Sequence, residues 1–136
     1  MTKKFLTIVC VVVALFFGIT RVSAETVSPY SLYTKTTNSD LSVSGSTATC
    51  ESEAVGYSGT TTKIVMNQTL QKKSFFGSWN EAASWSESET DTGYHGYASN
   101  TKSSLSGGTY RLKTVFTVYA GSNSEEITVY STEKKV

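Results

Sequence analysis

From Asp40 to the end of the chain, apolar residues recur at every second position, the spacing of strands that bury one face and wet the other. Leu41 and Val43 predict a short strand that breaks at Gly45, and Ser46–Gly56 a second with Ala48 and Cys50 inward. After a turn at Tyr57–Thr60, Thr61–Gln71 places Ile64, Met66 and Leu70 on one face and Lys63, Val65 and Asn67 on the other. Lys72–Gly77 reads as a loop, and Ser78–Glu87 as a strand with Trp79, Ala83 and Trp85 on one side. Thr90–Gly96 is loop-like and Tyr97–Leu105 is the weakest strand signal. The strongest is Thr109–Ala120, where Tyr110, Leu112, Phe116 and Val118 alternate with Arg111, Lys113 and Thr117. A hairpin loop at Gly121–Ser124 leads into Glu125–Ser131, with Ile127 and Val129 inward. Helical periodicity is absent throughout. Seven short strands in about 100 residues predict an all-β, antiparallel two-sheet sandwich, with a closed barrel as the alternative.

The N-terminus follows another pattern. Lys3 and Lys4 precede an apolar run, Phe5–Ile19, and Val22-Ser-Ala24 supplies the small residues that a signal peptidase accepts. The run of 15 is short of the roughly 20 residues a spanning helix needs. The expected division is a signal peptide over 1–24, an irregular segment over 25–39 and a β-sandwich over 40–136. Ser131–Val136 carries neither a sorting motif nor a hydrophobic tail, so the expected product is secreted and extracellular, without stable membrane insertion.

Without Lys3, Lys4 and Arg21, nine basic residues face 11 acidic ones, a net charge of −2 that gives nucleic acid no footing. Nor does the sequence hold a polybasic run of the kind that seeks an anionic membrane surface. Leu, Ile, Val and Phe number only 18 in Glu25–Val136, and 13 aromatics take up the deficit in a β-prone, Thr-rich chain. Cys50 is the one cysteine past Ala24, which excludes an intramolecular disulfide; its parity with Ala48 and Ala54 predicts a small buried side chain.

Leu105-Ser-Gly-Gly108-Thr-Tyr110-Arg-Leu112 resembles the tyrosine corner of immunoglobulin-like domains, in which a Tyr at the start of strand F ties the preceding turn to its own backbone. The resemblance places Leu112 and Cys50 near the positions of the two core cysteines. Strand C offers Ile64 and Met66 in place of the immunoglobulin Trp, so the likeness is to the disulfide-free fibronectin type III style. Across the whole chain, a longer series of motifs includes Pro29-Tyr30, Leu41-Ser-Val-Ser-Gly45, Gly56-Tyr-Ser-Gly59-Thr, Gly77-Ser-Trp79, Ala83-Ser-Trp85, Gly108-Thr-Tyr-Arg111 and Glu126-Ile-Thr. Together these resemble a family of small secreted proteins from Gram-positive, mainly clostridial, bacteria that is recorded only as a domain of unknown function. The resemblance implies export and a β fold, and it brings no activity and no site residues.

Catalytic chemistry finds little to work with. His95 is the single histidine and sits between glycine-flanked tyrosines. Cys50, His95 and Arg111 match the residue types of the sortase set but not its order or its surrounding motif. Ser99-Asn-Thr-Lys102 lacks the partner motifs of penicillin-recognising enzymes, and no cluster has zinc-ligand spacing. In Glu87-Ser-Glu-Thr-Asp-Thr-Gly93 the glycine falls one place late for a calcium loop, so a solvated strand edge is the expectation. No cofactor, no metal and no catalytic residue is therefore predicted, and the chain reads as a non-enzyme.

The remaining chemistry is aromatic. Phe75, Phe76, Trp79 and Trp85 fall in one loop–strand unit and Tyr94 and Tyr97 in the next loop. If the sandwich gathers these loops at one end, the six rings form a binding surface. The expected function is extracellular or cell-surface interaction, with a cell-wall polysaccharide or an extracellular protein as partner. A glycan-binding module stacking sugars on an aromatic platform is the alternative, and burial of Trp85 and Trp79 in an aliphatic-poor core competes with both.

Overall fold

A computed structural model describes residues 31–89 and 94–136; the predicted signal peptide lies outside them. The elements are β1 (Thr34–Ser44), β2 (Thr47–Gly56), β3 (Lys63–Lys73), β4 (Trp79–Glu89), β5 (His95–Lys102), β6 (Thr109–Ala120), β7 (Asn123–Tyr130) and a short β8 (Lys134–Lys135). They form two antiparallel sheets, β1-β2-β5 and β4-β3-β6-β7, with β8 pairing the start of β6. Relabelled A to G, that is ABE against C′CFG, the immunoglobulin arrangement with its fourth strand moved across to the CFG sheet. The chain is a β-sandwich, as its alternation predicts.

Several boundaries differ from expectation: β5 runs His95–Lys102 rather than Tyr97–Leu105, and β7 begins at Asn123, inside the expected hairpin loop. β1 begins at Thr34, inside the segment read as irregular, and pairs with β2 along its whole length. Its first residues, Thr34, Thr37 and Ser39, are buried through hydroxyls rather than hydrocarbon, so a hydropathy pattern passes over them. β3 likewise runs to Lys73, which leaves only Ser74–Ser78 as loop.

The inner faces are unequal. β2 and β5 contribute Ala48, Cys50, Ser52, Ala54, Gly96 and Ala98, and β3 and β6 answer with Ile64, Met66, Leu70, Tyr110, Leu112, Phe116 and Val118. Small against large lets the sheets interdigitate. At Gly96 the approach is so close that a Cβ would stand 3.1 Å from both Ile64 and Met66.

The core is split into two apolar clusters, one around Ile64, Met66, Phe116 and Val118, the other around Leu41, Cys50, Leu70, Tyr110 and Leu112. Between them lies a row of polar side chains at one level of both sheets: Ser39 opposite Ser52, and Gln68 opposite Thr114. Gln68 Nε2 donates to Ser52 Oγ at 2.7 Å, Ser52 lies 2.7 Å from Thr114 Oγ1, and Thr114 lies 2.8 Å from Ser39 Oγ. Asn100 Nδ2 donates to Gln68 Oε1 at 2.8 Å. Among the described residues no buried side-chain polar atom lacks a partner, the condition under which such a row is tolerated.

The tyrosine corner is present. Tyr110, almost fully buried, donates its hydroxyl to the Ser106 carbonyl at 2.7 Å, and Leu112 and Cys50 share its core cluster. The corner fixes Ser103–Gly108 at the end of the sandwich that also carries the β1–β2 and β3–β4 hairpins.

Candidate interaction surface

The β3–β4 hairpin closes over three residues. Ser74 N–H donates to the Ser78 carbonyl at 2.7 Å, Gly77 N–H to the Ser74 carbonyl at 3.0 Å, and the Ser74 and Ser78 hydroxyls lie 2.6 Å apart. Gly77 has φ of 86°, the left-handed residue that such a three-residue loop requires after its turn. Phe75 and Phe76 therefore occupy the two central turn positions, where polar residues are the rule. They are 98% and 94% exposed, and their rings meet edge to face at 5.4 Å and 86°.

Beside this tip lies an open cleft of about 510 Å³, with Lys72, Lys73 and Phe75 on one wall and Ser104, Leu105 and Ser106 on the other. Lys72 Nζ donates to Ser106 Oγ at 2.6 Å and stands 5.7 Å from the Tyr110 ring centroid, which joins the hairpin to the tyrosine corner. Lys73 pairs with Glu133 at 3.6 Å across an exposed surface.

The other candidate rings are dispersed. A bulge at Ala82, between the Leu70–Ala83 and Gln71–Glu81 pairs, reverses the parity of β4, so Trp79 and Trp85 do not share a face. Trp85 packs against the core cluster of Leu70 and Leu112. Trp79 lies against Arg111, whose guanidinium carbon is 4.1 Å from the indole centroid and 4.2 Å from that of Tyr130. Arg111 Nε is held by Gln71 Oε1 at 2.8 Å, a cross-strand stack of Trp, Arg and Tyr over the sheet. Tyr94 is at the opposite end, roughly 35 Å away along an 11-residue strand, and Tyr97 lies within β5, opposite Glu53 and close to the middle of the sandwich rather than in a loop. Tyr97 donates to Glu51 Oε1 at 2.7 Å, a bond that pushes its phenol pKa up. The six rings thus form no common platform: Phe75 and Phe76 stand together at one end, Trp79 is capped by a cation, Trp85 is half-buried against the core, and the two tyrosines are elsewhere.

Cys50, His95 and Arg111 are not brought together either. Cys50 is fully buried and desolvation raises its thiol pKa to about 11. His95 Nε2 lies 2.7 Å from Glu53 Oε1 on an exposed surface, and Arg111 is engaged with Trp79 and Gln71. Of the acidic run, Thr90–Gly93 lies outside the described residues, and among the described residues no group of three or more His, Cys, Asp or Glu side chains is placed to hold a metal ion.

Sequence reasoning missed the polar row, the β4 bulge and the Arg111 stack. The first has a sequence signal: Ser52, Gln68 and Thr114 each interrupt the inward parity of an otherwise apolar strand. No family model matches the chain, and no curated protein matches it in sequence. Fold and surface together define an immunoglobulin-like β-sandwich with one aromatic-tipped hairpin.

Proposed function

We propose that this is a secreted, non-catalytic β-sandwich that engages a partner outside the cell or at its surface through the Phe75–Phe76 hairpin tip. One observation carries the reading: two phenylalanines stand almost wholly in water on a turn held by its own hydrogen bonds. They contribute nothing to the core, and paired exposed rings are an aggregation liability unless something covers them. Covering both is worth about 3–6 kcal/mol, enough to supply most of a weak, reversible affinity. The alternative glycan platform finds less support, because the two rings are nearly perpendicular and Trp79 already stacks on Arg111.

The test compares the labelled protein with its Phe75→Ala/Phe76→Ala variant for binding to whole Gram-positive cells. The variant should retain the wild-type melting temperature, since both rings are exposed, and lose most of its cell binding. Equal binding by the two proteins refutes the reading.

A further inference from the structure

The fold collects what the sequence scatters. At the end of the sandwich that carries Phe75 and Phe76, the strands also deliver Lys72, Lys73, Lys102, Arg111, Lys134 and Lys135. Counting everything on the tip side of the polar row, Lys113 joins these six cations, and among the described residues Asp40, Glu51, Glu81 and Glu133 oppose them. The far half is reversed: Glu53, Glu87, Glu125 and Glu126 outnumber Lys35 and Lys63. A chain without a basic excess is therefore polarised along its long axis, with its exposed apolar tip at the positive pole.

We propose that this end docks reversibly on an anionic phospholipid surface, with Phe75 and Phe76 entering the interface and the lysines behind them meeting the headgroups. The inference rests on the reading of the tip as the interaction site, and it names the partner. Three features favour a bilayer over a protein pocket. The edge-to-face rings make a narrow wedge instead of a flat contact area. The hairpin tip is a three-residue loop, too small to offer the roughly 800 Å² per partner of a stable protein interface. Long, flexible lysines suit a fluid array of phosphates, and the two on β3 just behind the tip would exchange their exposed Ser106 and Glu133 partners for headgroup oxygens. The polarity also orients the approach, since the acidic far end is repelled by the surface that attracts the tip.

Flotation with liposomes of 70:30 phosphatidylcholine and phosphatidylglycerol, against pure phosphatidylcholine, tests this. The protein is collected from the medium of an exporting host. Wild type should float with the anionic liposomes and far less with the neutral ones, and 0.5 M salt should weaken binding by screening, as expected from roughly a 4 Å Debye length. Phe75→Ala/Phe76→Ala should lower the partition coefficient about a hundredfold, roughly tenfold per ring. Lys72→Gln/Lys73→Gln should lower it about fivefold per lysine. No flotation with anionic liposomes, or flotation that the double alanine variant leaves unchanged, overturns the proposal. If liposomes are ignored while cell binding still requires the two rings, the partner is a protein or wall polymer and only the lipid assignment falls. If the double variant alters neither assay, both readings fall.

Discussion

Thr114→Val is the sharpest probe of how this core is held. The substitution keeps shape and removes one hydroxyl from the middle of the buried row. Because the Gln68 amide nitrogen can only donate, Ser52 accepts from it and is left to donate to Thr114, which in turn donates to Ser39. Valine strands a donor on Ser52 and an acceptor on Ser39. Ser52 is almost fully buried and cannot turn to water, whereas Ser39 sits closer to the surface. One stranded buried group costs about 1–3 kcal/mol and the lost second bond adds less, so the expected destabilisation is about 2–3 kcal/mol. For a domain of this size that lowers the melting temperature by roughly 10–20 °C.

Urea unfolding followed by circular dichroism measures the loss directly. The slope should be unchanged, since the same surface is exposed. The double variant Ser39→Ala/Thr114→Val separates a hydrogen-bonded row from simple overpacking. Removing both partners leaves no unmet acceptor on that side, so the double variant should be more stable than the sum of the two single losses by about 1 kcal/mol. A Thr114→Val protein within 0.5 kcal/mol of wild type, or strict additivity in the cycle, would refute the row as an energetic unit.

Three further expectations follow from single groups. Tyr110→Phe removes the bond to the Ser106 carbonyl and should cost about 1 kcal/mol or slightly more, so an unchanged urea midpoint would argue against the corner. Glu125 accepts from Leu32 N–H, Tyr33 N–H and Thr34 Oγ1 and so pins the start of β1 to β7. Burial pushes its carboxyl pKa up, but these hydrogen bonds outweigh burial and leave it below the ordinary 4.5. Its stabilisation is therefore complete above that value and lost as pH falls through the lower, folded value; Glu125→Gln should flatten the stability–pH curve below about pH 5, and a parallel curve would contradict the latch. Cys50, with its thiol raised to about 11, should label slowly with a thiol reagent in the native state and many times faster in urea, whereas rapid native labelling would place it at the surface.

The sandwich was legible because alternation is a local signal. Ile64, Met66 and Leu70, or Leu112, Phe116 and Val118, declare their face without knowledge of the partner strand. The tyrosine corner was legible for the same reason, its donor and acceptor lying four residues apart. The illegible features depend on where strands meet. One extra residue at Ala82 separates Trp79 from Trp85, and neither neighbouring residue announces a bulge. The polar row requires β1, β2, β3 and β6 to align at one level, so Gln68 alone looks like a lapse in a pattern and only with Ser52 and Thr114 becomes a layer. Charge polarity is hidden most deeply, because Lys72 and Lys135 are brought to one end through β6, which pairs with both of their strands.

These two hidden features divide the molecule between stability and recognition. The polar row fixes register: a one-residue slip of β6 against β3 would bring Lys113 or Val115 opposite Gln68 and reverse the face of every residue on the strand. A fixed register in turn holds Lys72 opposite Tyr110 and Tyr110 opposite Lys134, so the arrangement of cations around the tip depends on pairings set about 15 Å away in the core. Thr114→Val should then do more than lower the melting temperature. Where the variant remains folded, any slippage of β6 would displace Arg111, Lys134 and Lys135 while leaving Lys72, Lys73, Phe75 and Phe76 on their own hairpin. Liposome binding by that variant should therefore lose part of its salt dependence while keeping its dependence on the rings, a signature that a merely destabilised but correctly registered fold would not show.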